Sequence, residues 1–219
     1  MPHFAMNRLD FDRLPYEEAL ALQHRLRERV LAGGEAQLLL LEHPPTITLG
    51  RRANEKNILN LQAVMTSGTA LVHTDRGGDV TWHGPGQLVG YPILELRRYR
   101  LGVRRYVGLL AEVLQGVLEE LGIAATWEEQ NPGLWVGEDK IAAFGVNVHR
   151  GVTTHGFSLN VDCELSAFQL IRPCGIMGRG VTSMAAVLGH APPMAAVRDR
   201  VATLLHQALE LLRERSSPE

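Results

Sequence analysis

The sequence predicts an α+β protein, with a mixed, mainly antiparallel sheet flanked by helices. Three long segments carry apolar residues at helical spacing, and seven shorter segments have the apolar runs or alternation typical of strands. The strand-like segments follow one another in groups with few helices between them. Since a parallel sheet needs a helix after nearly every strand, we favour α+β over βαβ repeats.

The predicted helices cover residues 15–34, 102–122 and 193–215. In each helix an apolar residue recurs every three or four positions, which places one stripe against a core. Pro15 and Gly33–Gly34 are typical boundaries of the first helix, and Gly122 suits the end of the second. We interpret the three stripes as core-facing surfaces and not as ligand sites.

The predicted strands lie between these helices. They cover residues 36–43, 70–76, 87–96, 124–129, 133–138, 140–150 and 154–162.

The composition limits the classes of protein that the chain can be. Its 219 residues carry a net charge of −2, without the basic excess that binding to a nucleic-acid backbone requires. No apolar run approaches the roughly 18–20 residues that cross a bilayer, and the first residues lack the apolar core of a secretory signal. We expect a cytoplasmic protein with a single domain over residues 1–219 and a disordered C-terminal tail.

The two cysteines have different surroundings. In a reducing cytosol Cys163 and Cys174 are expected to be free thiols, and a small buried hydrophobic residue is the ordinary interpretation of either. Cys174, however, follows a proline and precedes Gly175, Gly178 and Gly180, whose N–H groups could bind an oxyanion. A nucleophilic Cys174 would need a nearby cation or base, because only about 3% of a free thiol is ionised at pH 7. Cys163 we interpret as structural.

Glycine is concentrated in residues 75–92, "DRGGDVTWHGPGQLVGYP". The "RGGD" part could simply be the turn of a hairpin. A second flexible turn, "HGPGQ", follows at once between His83 and Gln87. Permissive backbone beside polar side chains indicates a binding site.

Lys140 and His155 are two further polar residues beside apolar strand segments. A lysine at the start of a strand is usually solvated, but the apolar residues 141–145 could partly desolvate Lys140 and let it act as a base or as the partner of a thiolate. His155 could be a core histidine, a substrate contact or a base, and its position does not separate these roles.

Several other chemistries are not supported by the sequence. It contains no phosphate-binding GxxxxGK[ST] motif, no HExxH metal motif and no GxSxG nucleophile elbow. The segment "GPGQLVG" does not match a dinucleotide fingerprint. The histidines are scattered, and we predict no metal site.

Six segments, in this order, resemble the octanoyltransferase family of lipoic-acid synthesis, within the superfamily of biotin and lipoate protein ligases. They are "EHPPTITLGRR", "RGGDVTWHGPGQLVGYPI", "GLWV", "KIAAFGVNV", "THGFSLNV" and "IRPCGIMGRGVTSM". The resemblance covers about residues 37–190 and implies the α+β catalytic domain that these ligases and transferases share.

The resemblance also implies roles for individual residues. Cys174 would be the nucleophile that carries the acyl group as a thioester, and Lys140 its partner, which lowers the pKa of the thiol and handles protons. Substrate would be bound by Arg76, Gly77, Gly78, Asp79, Val80, Thr81, Trp82 and His83, by Ala143, Phe144 and Gly145, and by Gly156, Phe157 and Ser158. Ser158 replaces the alanine usual in the family and could tune the acyl pocket. His155 is a supporting candidate, and His43 lies in a family-like segment without an assignable role.

The implied reaction moves an octanoyl group from acyl carrier protein to a lysine of a lipoyl domain. The acceptors would be the E2 subunits of 2-oxoacid dehydrogenases and the H protein of glycine cleavage. Since the octanoyl-phosphopantetheine donor is an activated thioester, we expect no ATP, metal or other cofactor. We also expect a monomer without nucleic-acid or membrane partners.

Three alternatives remain open from the sequence. The chain could be an ATP-dependent lipoate or biotin ligase of the same fold, although "HGPGQ" and "RPCG" favour transfer. It could also be a non-catalytic module that binds lipoyl domains or carrier protein, against which the presence of Lys140 and Cys174 argues. Finally, water could resolve an acyl-enzyme, which would make the chain a cysteine hydrolase.

Overall fold

The computed structural model of the protein describes residues 6–172 and 178–214. The three predicted helices are confirmed as α1 (Tyr16–Leu31), α3 (Val103–Glu120) and α5 (Met194–Glu214). Two short helices, α2 (Leu61–Thr66) and α4 (Met184–Leu188), were not predicted. The side chains of Asn60 and Ser183 cap them. Neither helix is long enough to show a helical repeat in the sequence.

The strands of the described chain number eleven. They are β1 (Asn7–Asp10), β2 (Gln37–Leu41), β3 (Thr46–Leu49), β4 (Ala70–His73), β5 (Val80–His83), β6 (Gln87–Ile93), β7 (Thr126–Glu128), β8 (Gly133–Val136), β9 (Asp139–His149), β10 (Val152–Asn160) and β11 (Gly180–Val181). All seven predicted strands are present, and β1, β3, β5 and β11 are additional.

The main sheet has the strand order β1-β2-β6-β10-β9-β8-β7, and β11 also pairs with β9. Only the pairs β1–β2 and β9–β11 are parallel among the described strands of this sheet. The others, from β2–β6 across to β7–β8, are antiparallel. The prediction of a mixed, mainly antiparallel sheet is therefore confirmed.

A second, three-stranded sheet has the order β4-β3-β5. Strand β3 pairs in parallel with β4 and antiparallel with β5, so it lies between them. The "RGGD" segment therefore does not form the turn of a hairpin, because the strands on either side of it are not neighbours. The segment instead connects the two edges of the small sheet.

Three hydrophobic clusters support this arrangement. On one face of the main sheet, α3 and α5 pack on strand residues such as Leu38, Leu88 and Leu159. On the other face, α1 packs on residues such as Leu39 and Val89. The third cluster lies at the small sheet, where Trp82 meets Phe168 edge to face with ring centroids 5.2 Å apart. No helix among the described residues has the length and apolar character that crossing a membrane would require.

Candidate active site

The two short segments singled out on β9 and β10 pair with each other residue for residue. In the antiparallel register Ala143 is opposite Ser158, Phe144 opposite Phe157, and Gly145 opposite Gly156. Strand β6 lies on the other side of β10 and places Val89 opposite Ser158. Segments far apart in sequence therefore become one continuous surface.

A cavity, here called the central slot, opens on this surface. It holds about 470 Å³ of space that protein atoms do not fill, part of it open to solvent. It is lined by Tyr16, Arg76, Gly78, Thr81, His83, Val89, Tyr91, Ala143, Phe144, Gly145, His155, Gly156, Phe157 and Ser158.

Strand β5 shows how the alternation of a strand divides its residues between the slot and the core. Thr81 and His83 line the slot. Val80 and Trp82 point to the other side and join the third hydrophobic cluster. The predicted substrate-binding roles of Val80 and Trp82 are therefore not supported by their positions.

Lys140 lies in a small adjoining cavity, here called the Lys140 pocket. Its side chain is buried, with 6% of the residue exposed, and Nζ donates to the carbonyl of Pro132 at 3.2 Å. Nζ also lies 4.7 Å from the centroid of the Trp135 ring. Gly133 makes room for the lysine, because a Cβ there would be 2.8 Å from Lys140 Cε.

The Lys140 pocket adjoins the central slot. Thr81, Ala143 and Ser158 line both cavities. The buried side chain of Lys140 therefore lies close to a largely apolar slot. Such an environment suits proton transfer and charge stabilisation at the head of a bound chain.

The Arg76 guanidinium organises the loop between β4 and β5. It donates to the hydroxyl and carbonyl of Thr48 and to the carbonyls of Gly77 and Asp79. The N–H of Gly77 donates to the carbonyl of Val146 at 3.0 Å and so attaches the loop to the main sheet. Arg76 borders the slot, but these bonds give it a role in holding the loop in place.

A chain of buried hydrogen bonds runs from the end of β5 towards Lys140. His83 Nδ1 donates to Gln87 Oε1 at 2.7 Å, and Gln87 Nε2 donates to Asn160 Oδ1 at 2.9 Å. Asn160 Nδ2 donates to the carbonyl of Thr182, whose own N–H donates to the carbonyl of Lys140. His83 and Gln87, which flank the "HGPGQ" turn, thus fix the wall of the Lys140 pocket.

The end of the slot at α1 is lined by tyrosine and histidine. His155 Nε2 donates to Asp75 at 2.7 Å, and the Tyr16 hydroxyl lies 3.4 Å from His155 Nδ1. The Tyr91 hydroxyl donates to His43 Nε2 at 2.7 Å, while His43 Nδ1 donates to the carbonyl of Leu14. His43, without a role in the sequence analysis, is therefore a buried support for Tyr91.

Burial sets the ionisation of this end. It lowers the pKa of His43 to about 4 and holds the pKa values of His83 and His155 below their ordinary range. The hydrogen bond from His155 lowers the pKa of Asp75 to about 2. At neutral pH the three histidines are uncharged and Asp75 is a carboxylate.

His155 has a backbone conformation that is rare for a residue with a side chain. Its φ is +58° in the middle of β10, and its N–H donates to the side chain of Gln23 at 2.7 Å. Strain of this kind persists only where surrounding contacts hold it. Here Gln23 of α1 and Asp75 hold His155 in this conformation through their hydrogen bonds, directly before Gly156 of the slot.

The remaining predicted residues lie away from the cavities or outside the described chain. Gly77 and Asp79 do not line the slot. The Asp79 carboxylate accepts hydrogen bonds from the backbone N–H of Asn54 and from the side-chain amide of Asn57. Cys174 and Gly175 lie outside the described residues. Cys163 is buried, which raises the pKa of its thiol to about 12 and makes it an inert core residue.

Some slot residues carried no signal in the sequence. Tyr16 is the first residue of a helix, and Val89 and Tyr91 belong to a strand with ordinary alternation. Their place in the slot follows from how α1 and β6 pack. Among the described residues, no group of three or more His, Cys, Asp or Glu side chains has an arrangement suited to a metal ion.

Comparison with known proteins places this geometry in a family. The model of the lipoyl protein ligase A/B catalytic domain matches residues 15–206. The chain belongs to this family. Two relatives of the lipoyl protein ligase A/B family, both octanoyltransferases, are highly similar over most of their length. That of Alkaliphilus metalliredigens is 50% identical over 188 residues, 84% of this chain and 86% of the relative. That of Geobacter metallireducens is 46% identical over 194 residues, 88% of each chain.

A solved structure supports the fold of this family member independently. A lipoate-protein ligase A bound with ATP superposes with a TM-score of 0.77, covering 94% of this chain and 86% of that chain. The two sequences are 16% identical, so this likeness concerns the fold alone.

Proposed function

We propose that the protein is an octanoyltransferase that attaches an octanoyl group to a lysine of lipoyl domains, an early step in making the lipoyl cofactor. The observation that carries this proposal is the buried Lys140 side chain close to the apolar central slot. The similarity to octanoyltransferases over most of the chain supports it. Each methylene of an acyl chain buried in the slot would contribute about 0.8 kcal/mol.

The proposed mechanism has two half-reactions. In the first, the Cys174 thiolate attacks the thioester carbonyl of octanoyl–acyl carrier protein, the bond to the pantetheine sulfur breaks, and that sulfur leaves as a thiol after taking a proton. In the second, the acceptor amine attacks the Cys174 thioester, an amide forms and the cysteine sulfur leaves. The Lys140 ammonium group stabilises the Cys174 thiolate and gives its proton to the departing pantetheine sulfur, which leaves Lys140 neutral. In the second half-reaction the neutral Lys140 amine accepts the proton that the acceptor amine releases, so the cysteine sulfur leaves as the thiolate and the starting pair is restored.

The energetics of this route need no nucleotide. Exchange of one thioester for another is close to neutral, and conversion of a thioester into an amide is downhill. The proposed partners are acyl carrier protein as donor, and the lipoyl domains of 2-oxoacid dehydrogenase E2 subunits and glycine cleavage H protein as acceptors.

The test is the covalent intermediate. Incubation with octanoyl–acyl carrier protein should leave an octanoyl mass adduct on Cys174, and addition of a lipoyl domain should move it to the acceptor lysine. Cys174→Ala should abolish both, and Cys163→Ala is the matched control that should retain them. Transfer that persists in Cys174→Ala, or that requires ATP and free octanoate, would refute the proposal in favour of a ligase.

A further inference from the structure

A third cavity lies on the surface beyond the Lys140 pocket. This cavity, here called the Arg172 groove, is lined among others by Leu59, Phe168, Gln169, Ile171, Arg172 and Val181. Phe168 and Val181 also line the Lys140 pocket. The Lys140 pocket therefore lies between the groove and the central slot, sharing wall residues with each of them.

The walls of the groove are both apolar and hydrogen-bonding. Leu59, which is 52% exposed, offers apolar surface, while Ser166 and Gln169 are exposed polar side chains. The position of the wall is fixed, because Ile58 pairs with Ile171 and the N–H of Leu59 donates to the carbonyl of Leu170 at 2.9 Å.

The groove contains two arginines in different electrostatic situations. Arg179 is neutralised by Glu128, to which it donates two hydrogen bonds, and by Glu138 at 3.2 Å. For Arg172, no carboxylate among residues 6–172 and 178–214 lies within ion-pairing distance. Its N–H donates to the carbonyl of Asn57 at 2.7 Å, which ties this residue to the rim. Arg172 is thus a cation of the groove that an anionic ligand could use.

We propose that the Arg172 groove binds the pantetheine arm of the thioester donor and that Arg172 contacts the phosphodiester of that arm. This proposal rests on the proposed function. The arm combines a geminal dimethyl group and two amides with one anionic phosphate, which matches the apolar wall, the polar side chains and the cation of the groove. The acceptor is a lysine side chain, which carries a positive charge before it reacts, and Arg172 would repel it.

The test measures binding directly and so does not depend on turnover. Calorimetric titration of the full chain with phosphopantetheine and with pantetheine separates the contribution of the phosphate. Wild-type protein should bind phosphopantetheine about tenfold more tightly, and Arg172→Gln should remove that difference while leaving pantetheine binding unchanged. Arg25→Gln, which alters an arginine of α1 away from the groove, is the matched control and should change neither affinity.

A second variant tests the groove independently of charge. Gln169 is exposed, so Gln169→Trp should fold normally, fill part of the groove and weaken both ligands several-fold. Equal affinity of wild type for the two ligands, or loss of both in Arg172→Gln, would overturn the proposal. These titrations need no octanoyl group and no transfer. A negative result in them would contradict the groove proposal alone, whereas a negative result in the transfer assay would contradict the proposed function.

Discussion

Gly90 lies on β6 opposite Phe157 of β10, and its missing side chain makes room for the phenylalanine ring. A Cβ at this position would be 2.0 Å from Phe157 Cζ. The ring borders the central slot, so the pair links a core contact to the shape of the binding site.

We predict that Gly90→Ala destabilises the protein by about 1–3 kcal/mol and changes the preferred acyl chain length, because Phe157 must move. Urea unfolding and transfer assays with acyl donors of graded length would measure the two effects. Gly108→Ala, in the interior of α3 with its nearest contact at 3.6 Å, is the control and should stabilise by about 0.5–1 kcal/mol. Unchanged stability of Gly90→Ala would contradict the close packing of Phe157 against Gly90.

Lys140 allows a prediction about the first half-reaction. Lys140→Met keeps much of the side-chain volume but removes the cation, so less of the Cys174 thiol should be ionised at neutral pH. Adduct formation should slow by about tenfold or more at pH 7 and recover as the pH approaches 9. Rapid quenching and mass spectrometry across this pH range measure it. A rate that stays low at high pH would mean that Lys140 acts by packing and not through its charge.

At the residue scale the sequence could identify the chemistry but not its surroundings. The resemblance named Lys140, yet a lysine at the start of a strand is usually solvated. Its burial depends on Trp135, Pro132 and the gap at Gly133, which only the packing of β8 against β9 brings together. The same holds for His43, whose support of Tyr91 follows from tertiary contacts.

Among elements, α5 is attached to the site by a buried ion pair. Arg198 of α5 contacts Glu42 Oε1 at 3.2 Å, and Glu42 Oε2 accepts from the N–H of Gly86 at 2.7 Å. Gly86 belongs to the turn between β5 and β6 that positions His83 and Gln87. The pair thus connects a helix on the sheet face to the wall of the Lys140 pocket.

We predict that Arg198→Ala lowers the free energy of unfolding by about 2 kcal/mol, since it leaves the largely buried Glu42 carboxylate without its cation. It should also reduce transfer by loosening the turn. The control is Arg200→Ala on the same helix as Arg198. It breaks a more exposed pair with Glu120 of α3 and should have a much smaller effect. Equal losses in the two variants would show that the Arg198 pair has no special role.

The elements that the sequence predicted are those long enough to show a period. Strands β3 and β5 have four residues each and lie beside proline- and glycine-rich turns, so neither was assigned. Strand β11 has two residues and exists only because β9 offers it an edge at Asp139 and Lys140. The hairpin interpretation of "RGGD" was wrong because β4 and β5, the strands on either side of it, do not pair with each other. Each of them pairs with β3, which comes earlier in the chain.

For the molecule as a whole, the buried histidines predict sensitivity to acid. A histidine whose pKa is lowered by folding is neutral in the folded and the unfolded state above about pH 6.5. Below that pH the histidine binds a proton in the unfolded chain but stays neutral in the folded one, which favours unfolding. The free energy of unfolding should therefore fall as the pH drops from about 6.5 towards 4, and His43 alone would account for about 2 kcal/mol at pH 5.

The variant His43→Gln tests this assignment. Glutamine can donate to Leu14 and accept from Tyr91 as His43 does, but it does not titrate. Urea unfolding from pH 7 to 5 should show a shallower loss of stability than in wild type, even if the variant is less stable at pH 7. An identical slope would assign the acid sensitivity to other groups.

The central slot is lined by residues of α1 and of strands β5, β6, β9 and β10 from both sheets, with Tyr16 and Ser158 at its sequence extremes. These residues lie far apart in the sequence, so the slot exists only when the segments that carry them are folded together. A bound acyl chain is therefore a ligand of the complete native state only. Its affinity should appear as resistance of the whole chain to unfolding and proteolysis, which makes ligand-induced stabilisation a measure of how much of a preparation is correctly folded.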